Sequence, residues 1–230
     1  MTMNIEEMEK RIKELEKQVR ETKDIEEIER LQKAYGYYIE HWMSEELIDL
    51  FADGPDVAIH LIGMGIFRGK DHVRQFFNND MGNDPEFIHQ VMQTSGIVTV
   101  APDGQTAKGR WNGWGVLAIP MGGGVKQEFL GGMYENDYVK QDGVWKIKVA
   151  RHFPTYYSTP GEGIVKPERE AAIDPNYVRK EPIEPDIPDN IKVVYPSGYI
   201  LPFHFKHPVT VKETSEKQKN TSRGMENIDL

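Results

Sequence analysis

The chain has no cysteine among its 230 residues, and this absence removes several classes of chemistry at once. Disulfide bonds, thiolate nucleophiles and cysteine-based zinc sites are all excluded. No apolar run approaches the roughly 20 residues that are needed to span a bilayer, and the Glu/Lys-rich N-terminus lacks the apolar centre of a signal peptide. We therefore expect a cytoplasmic protein that does not enter a membrane.

Other recognisable sites are missing as well. The sequence contains no phosphate-binding glycine loop, no dinucleotide fingerprint and no Gly-x-Ser-x-Gly elbow. The seven histidines do not cluster, apart from His204 and His207, which lack an adjacent carboxylate. The net charge of −9 repels phosphate backbones and argues against nucleic acid as a partner. We expect a small-molecule substrate with no metal and no cofactor.

The N-terminal segment, residues 1–24, has the pattern of an oligomerisation helix. Its apolar side chains alternate at spacings of three and four residues, as the a and d positions of a coiled coil do: Ile5, Met8, Ile12, Leu15 and Val19. Charged residues fill the gaps between them. The pattern predicts a homo-oligomer, either a trimer or a dimer, and the alternative is a solvated helix that packs on its own domain.

Residues 25–155 have the element pattern of one α+β domain. Asp24 and Glu27 have capping-box spacing, which predicts that a second helix restarts there and runs to residue 40. A short helix from Ser44, as its N-cap, to Phe51 follows. Next come a strand at 57–62, a short strand within 63–69 and a helix at 70–78. Hairpin turns then separate four long strands: 87–100, 107–119, 127–140 and 144–152.

This order predicts a cone-shaped, curved antiparallel sheet wrapped around about three helices. Most of the chain's 14 prolines come after residue 153, so residues 156–211 are expected to be an extended Pro-rich arm rather than a second core. Residues 212–230 are polar and aperiodic, and we expect them to be disordered.

Several segments of the domain, in this order and spacing, resemble the SnoaL-like branch of the nuclear-transport-factor-2-like superfamily. They are residues 28–40 (IERLQKAYGYYIE), 47–53 (LIDLFAD), 67–77 (FRGKDHVRQFF), 87–93 (FIHQVMQ), 101–111 (APDGQTAKGRW) and 134–147 (YENDYVKQDGVWKI). Within that branch, the chain looks most similar to cofactor-free lyases such as bile-acid dehydratases, scytalone dehydratase and lyases of lignin fragments.

The resemblance implies candidate catalytic residues. Such lyases pair a helix carboxylate with a strand histidine, and the matching positions here are Glu40 and His89. The family more often has Asp where this chain has Glu40. Tyr35 matches a tyrosine in the pocket of bile-acid dehydratases. A histidine that titrates near neutral pH can take and return a proton, and a tyrosine can protonate a leaving hydroxyl.

Strand alternation adds further candidates. His89 shares a face with Val91 and Gln93, and the valine marks that face as inward. The same reasoning aligns Arg151 with Trp145, Ile147 and Val149 on the inner face of the last strand, where a cation could stabilise a substrate oxygen. The alternative for Arg151 is a salt bridge that closes the end of the sheet. His152 then points outward unless a bulge intervenes.

The remaining candidates are expected to line the pocket. They are Tyr38, Trp42, Arg110, Trp111, Trp114, Phe129, Met133 and His152. The function that we expect is a cofactor-independent lyase or dehydratase acting by acid–base catalysis on a hydroxylated aromatic or polycyclic small molecule, with release of a small aldehyde as a variant. The alternatives are an isomerase or polyketide cyclase of the same fold, and a non-catalytic small-molecule-binding module.

Overall fold

Helices and a seven-stranded sheet make up most of the described chain. The computed structural model describes residues 4–78, 84, 86–121, 123–159 and 184–193, and the backbone of 225–226. The helices are α1 (Ile5–Glu40), α2 (Ser44–Asp49) and α3 (Lys70–Phe77). The strands are β1 (Ala58–Leu61), β2 (Gly65–Arg68), β3 (Ile88–Val100), β4 (Thr106–Met121), β5 (Gly124–Gln141), β6 (Val144–Ser158), β7 (Ile187–Pro188), β8 (Lys192–Val193) and β9 (Met225–Glu226). In this described part, no helix has both the length and the apolar character that crossing a bilayer requires.

The sheet has the strand order β3-β4-β5-β6-β1-β2-β7, and this architecture confirms the α+β fold. All of its strand pairs are antiparallel except β1 with β6, so the sheet is mixed rather than wholly antiparallel. The four long strands of the meander are confirmed. β1 and β6 are far apart in sequence, so no hairpin forces them to run in opposite directions.

The described part of the Pro-rich arm returns to this sheet. Ile187 and Pro188 form β7, which pairs with β2 at the sheet edge. Asp186 accepts the backbone N–H of Arg68 at 2.6 Å, and Asp189 accepts that of Gly63 at 3.1 Å. The expected disordered tail, 212–230, lies outside the described residues except for β9, which pairs with β8.

α1 is one continuous helix, so the expected restart at Asp24 is wrong. A capping box at Asn4 begins the helix: the Glu7 N–H donates to the Asn4 side chain at 2.8 Å, and the Asn4 N–H donates to Glu7 at 3.3 Å. Asp24 is buried in mid-helix, where it forms an ion pair with Lys140 and accepts a hydrogen bond from Trp145 Nε1 at 2.8 Å. Its carboxylate therefore binds the helix to the sheet and does not cap a new one.

The two halves of α1 differ in environment. Its N-terminal residues, up to Lys23, are exposed. From Ile28 onward a buried stripe recurs at spacings of four and three residues and packs against one face of the sheet: Ile28, Gln32, Tyr35 and Ile39. We call this helix-covered face the inner face and the opposite one the outer face.

The end of α1 places a tryptophan where glycine is usual. The Trp42 N–H donates to the Ile39 carbonyl at 3.1 Å, and the Met43 N–H donates to the Tyr38 carbonyl at 2.9 Å. This is the Schellman pattern, and it requires the left-handed backbone that Trp42 adopts, with φ of 48°. A bulky residue in that region costs about 1–3 kcal/mol and persists only where its surroundings hold it.

The surroundings of Trp42 supply that hold. Its indole is buried against Phe77 and donates from Nε1 to the Phe77 carbonyl at 3.0 Å. Ser44 donates its hydroxyl to the same carbonyl at 2.6 Å. The sequence predicted Ser44 as the N-cap of α2, and this is wrong. Met43 occupies the cap position, and Ser44 is the first residue of the helix.

The buried contact at Asp24 generates a stability prediction. Asp24→Ala should lower the free energy of unfolding by about 2–4 kcal/mol, because Lys140 and the Trp145 indole both lose a partly buried partner. Asp24→Asn keeps an acceptor for the indole and should cost less. Glu26→Ala, on an exposed position of the same helix, is the control and should stay within about 0.5 kcal/mol of the parent in urea denaturation. Equal effects of Asp24→Ala and Glu26→Ala would contradict this role.

Candidate functional site

Two histidines from opposite sides of the meander lie on the inner face. His89 in β3 packs against Trp42, with ring centroids 5.6 Å apart, and against Phe87 at 6.3 Å. His152 in β6 packs on the ring of Tyr134 at 4.8 Å. The inward phase expected for His89, Val91 and Gln93 agrees with the structure, since Gln93 contacts Gln32 of α1.

A bulge in β6 decides which residue of this strand faces inward. Val149 pairs with Asp137, but Ile147 pairs with Tyr138, so Lys148 has no opposite residue on β5. This extra residue inverts the alternation after Ile147. His152 therefore points inward, opposite Tyr134, and Arg151 falls on the other phase.

The expectation that Arg151 reaches the pocket is therefore wrong, whereas the bulge that would turn His152 inward is present. The Arg151 guanidinium lies 2.7 Å from the Asp137 carboxylate, and it donates to the Glu135 carbonyl at 3.5 Å. These contacts hold it on the outer face of the sheet. Arg151 thus fits the alternative role, a salt bridge within the sheet.

Hydrogen-bonding capacity is left unused on the inner face. Within the described ranges, four buried side-chain polar atoms lack a hydrogen-bond partner, and three of them are His89 Nδ1, His152 Nε2 and Gln93 Nε2. Buried polar atoms are nearly always paired, and an unpaired one demands an explanation. Three on one face make this part of the sheet the candidate functional site.

Both imidazoles are held in the neutral form. Burial lowers the pKa of His89 to about 4. Burial lowers the pKa of His152 to about 4 as well, and the nearby His89 contributes to that shift. Desolvation disfavours the imidazolium, and a second positive charge close by disfavours it further. Each ring is therefore a neutral, weak base at neutral pH, and the pair resists holding two protons.

Two tyrosines extend the histidine pair toward α1. Tyr134 lies between His152 and Tyr35, and its ring centroid is 6.4 Å from that of Tyr35. Burial raises the pKa of Tyr35 and of Tyr134, so both hydroxyls stay protonated and can donate. Tyr35 was expected here, whereas Tyr134 was not. Tyr134 alternates in phase with Asn136 and Tyr138 along β5, and this alternation could have predicted that it faces inward.

The expected Glu40–His89 dyad is not formed. The Glu40 carboxylate accepts a hydrogen bond from Gln90 Nε2 at 3.1 Å, at an exposed position. Gln90 is on the opposite strand phase from His89, and His89 Nδ1 has no partner in the described part of the chain. Glu40 is the last residue of α1, where its side chain points past the strand rather than onto its inner face.

A saturated polar network borders the site. Gln32 Oε1 accepts hydrogen bonds from Asn136 Nδ2, at 2.9 Å, and from the Tyr138 hydroxyl. Trp111 Nε1 in turn donates to the Tyr138 oxygen at 3.0 Å. These bonds fix α1 on β4 and β5. Because the donors and acceptors of this group are mostly used, we assign it a structural role.

Glycines leave room for the histidine and tyrosine rings. A Cβ on Gly132 would lie 3.0 Å from His152 Nε2 and 2.3 Å from the Phe153 carbonyl. A Cβ on Gly113 would lie 2.8 Å from the Tyr134 ring. Both positions are therefore closed to larger residues by the site itself.

The other expected lining residues divide between the faces. Trp42 and Trp111 are buried on the inner side, and Tyr38 packs against the same core. Four do not belong to the site because their strand phase places them on the outer face: Arg110, Trp114, Phe129 and Met133. Arg110 Nε donates to Glu135 at 2.6 Å, and Trp114 is 49% exposed.

For metal ions, the described residues offer no set of three or more His, Asp or Glu side chains that is placed to hold one. The polar groups that the inner face presents are instead neutral nitrogens and protonated hydroxyls. These groups suit an uncharged or weakly polar organic ligand.

Comparison with known proteins gives one family and several similar folds. The SnoaL-like domain family matches residues 20–151. A candidate scytalone dehydratase from Novosphingobium aromaticivorans is similar in structure, with a TM-score of 0.53 and 18% identity over 70% of this chain and 99% of that one. No curated protein is significantly similar in sequence.

Two further solved structures share the fold. A hexachlorocyclohexane dehydrochlorinase has a TM-score of 0.51 and 16% identity, over 63% of this chain and 94% of that one. A candidate aromatic ring hydroxylase from Novosphingobium aromaticivorans has a TM-score of 0.50 and 23% identity, over 60% of this chain and 93% of that one. At these identities the likeness shows the fold alone.

The neutral histidine pair generates a prediction about stability and pH. Unfolded histidines take up protons below pH ~6.5, whereas the folded rings do so only near pH 4, so stability should fall as the pH drops through that window. Between pH 7 and pH 5 each ring should cost about 1–2 kcal/mol of unfolding free energy.

The His89→Gln/His152→Gln double variant should lose this part of the pH dependence, as measured by urea denaturation at pH 7 and pH 5. His41→Gln, which removes an exposed imidazole, is the control and should behave as the parent does. A double variant with the parent's full pH dependence would show that the two rings are not buried as neutral groups.

Proposed function

Because the chain belongs to the family of SnoaL-like domains, we propose that it is a cofactor-independent lyase that acts by acid–base catalysis. The observation that carries the proposal is the set of unpartnered buried nitrogens on the inner face, above all His89 Nδ1 and His152 Nε2. Two proteins of the same fold are named for eliminations, one a dehydratase and one a dehydrochlorinase. Both kinds of reaction need a base.

In the proposed reaction, one neutral imidazole removes a proton from a substrate carbon. The electron pair of that C–H bond forms a double bond to the neighbouring carbon, and the C–O bond there breaks. The departing oxygen takes a proton and leaves as water. In this proposal a tyrosine hydroxyl, from Tyr35 or Tyr134, donates a hydrogen bond to that oxygen as charge develops.

The nearby second histidine supports the return of the proton after the base has taken it. Because each ring disfavours a charge on the other, a proton taken by one of them is readily given up. We propose His89 as the base, since it lies beside the aromatic rings that would hold the substrate. His152 would then relay the proton toward the leaving oxygen or hold that oxygen by a hydrogen bond.

The chemistry of the walls supports a hydroxylated aromatic or polycyclic substrate. Trp42 and Phe87 flank His89, and Tyr134 flanks His152. Aromatic rings bind a flat apolar skeleton, while a few converging polar atoms select the positions of its oxygens. An isomerase or a cyclase would use the same base and the same donors on another substrate.

A turnover assay on single variants tests the proposal. Aryl and polycyclic β-hydroxy ketones serve as the probes, because loss of water gives a conjugated product that is seen by its ultraviolet absorption. His89→Gln keeps the size and hydrogen bonding but removes the base, and should lower kcat by about 10²–10⁴-fold. Arg151→Gln should leave kcat near that of the parent, because its side chain lies on the outer face.

An equal loss in both variants, or full activity of His89→Gln, would contradict the assignment of the base. The folded state of each variant is checked by its near-ultraviolet circular dichroism. His41→Gln controls for the loss of an exposed imidazole.

A non-catalytic binding module is the second candidate, and the lowered pKa of the histidines favours it. A ring with a pKa of about 4 is a weak base at neutral pH. If the chain is a binder, the same probes should quench its tryptophan fluorescence without being converted. His89→Gln would then change the dissociation constant, and no probe would gain ultraviolet absorption.

A further inference from the structure

We propose that the exposed half of α1 forms a parallel, in-register, two-stranded coiled coil with the same segment of a second copy of this chain. The segment concerned runs from residue 5 to residue 23, and we call it the stalk. The inference does not depend on the reaction proposed above, because the stalk contains none of the residues of the candidate site.

The stalk extends away from the domain with its apolar side chains uncovered. Its residues are all exposed, and Ile5 and Val19 reach 71% and 65%. A stretch of this length spans roughly 30 Å at 1.5 Å per residue. Most helical stability in proteins comes from packing of an apolar face, and the stalk packs on nothing in the described part of its own chain, so a partner helix is the simplest source of the missing stabilisation.

The composition of the apolar stripe favours two strands. Ile5, Ile12 and Val19 occupy the a positions, and Met8 and Leu15 occupy d. β-branched residues at a combined with leucine at d favour parallel dimers, whereas leucine at a or isoleucine at d would favour trimers or tetramers. The spacing of the apolar residues alone leaves a dimer and a trimer open. The residue types at a and d favour the dimer.

The flanking charges favour the parallel orientation. Arg11 occupies a g position, and Glu16 occupies the e position of the following heptad. In a parallel dimer g contacts the partner's next e, so the symmetry gives two Arg–Glu pairs. An antiparallel arrangement would bring e positions together, and Glu9 and Glu16 would then repel each other.

The overall charge of the stalk favours a protein partner over a charged surface. Six glutamates and six lysines or arginines alternate between residues 5 and 23. A helix that binds anionic lipid or nucleic acid needs an excess of positive charge. This balanced helix instead has the interspersed charges of a solvated coiled coil.

Disulfide crosslinking tests orientation and register directly, and the natural absence of cysteine makes each introduced thiol unique. Ile5→Cys and Val19→Cys, each alone, should crosslink with themselves in oxidising buffer, because equivalent a positions face each other in a parallel dimer. Lys17→Cys, at an outward f position, is the matched control and should not. Crosslinking only in a mixture of the Ile5→Cys and Val19→Cys proteins would show an antiparallel pair and overturn the proposal.

Charge exchange tests the pairing on the full chain by sedimentation equilibrium. Arg11→Glu and Glu16→Arg should each weaken the dimer about tenfold, because both Arg–Glu pairs become like-charged. An equimolar mixture of the two variants should recover the parent affinity. Lys17→Glu is the control and should have no effect. A monomer at every concentration, a trimeric mass, or a dimer that is indifferent to Ile12→Lys would each overturn the proposal.

Discussion

The bulge at Lys148 determines which chemistry the inner face of the sheet can have. Without the extra residue, β6 would continue the phase of Trp145 and Ile147 and bring Arg151 inward. With it, Trp145 still reaches Asp24 of α1, while His152 reaches the same face as His89 a few residues later. Because of this bulge, the first half of β6 anchors α1 through Trp145, and the second half contributes His152 to the candidate site.

The electrostatics of the site follow from which charged groups stay outside it. Arg151 stays with Asp137 on the outer face, and Glu40 stays with Gln90 at the strand edge. The inner face therefore holds two imidazoles without a charged partner, beside tyrosines that burial keeps protonated. Such a site favours neutral forms on both sides of a proton transfer, and its buried nitrogens on His89 and His152 have no hydrogen-bond partner within the described residues. The strained Trp42 supports one wall of this arrangement and holds the first of the two rings.

Much of the fold could be predicted from residue patterns, because strand alternation and turn residues act locally. The inward phase of His89 followed from Val91 and Gln93 in this way. The orientation of His152 could not, because a bulge depends on pairing with β5 and leaves no local mark at Lys148. Asp24 was misread for a related reason: its capping-box spacing is local, but its partners Lys140 and Trp145 are more than a hundred residues away. Glu40 matched a family position, yet the end of α1 turns its longer side chain away.

The site depends on His89 and His152 forming a neutral pair on one face of the sheet. A pH titration of the histidine side chains by ¹H–¹⁵N NMR tests it most directly, with His89→Gln and His152→Gln used to assign the signals. Both rings should be neutral at pH 6 and titrate only near pH 4, and protonation of one should oppose that of the other. A transition near pH 6.5 for either ring would contradict the account, because it would place that ring in water and away from its partner.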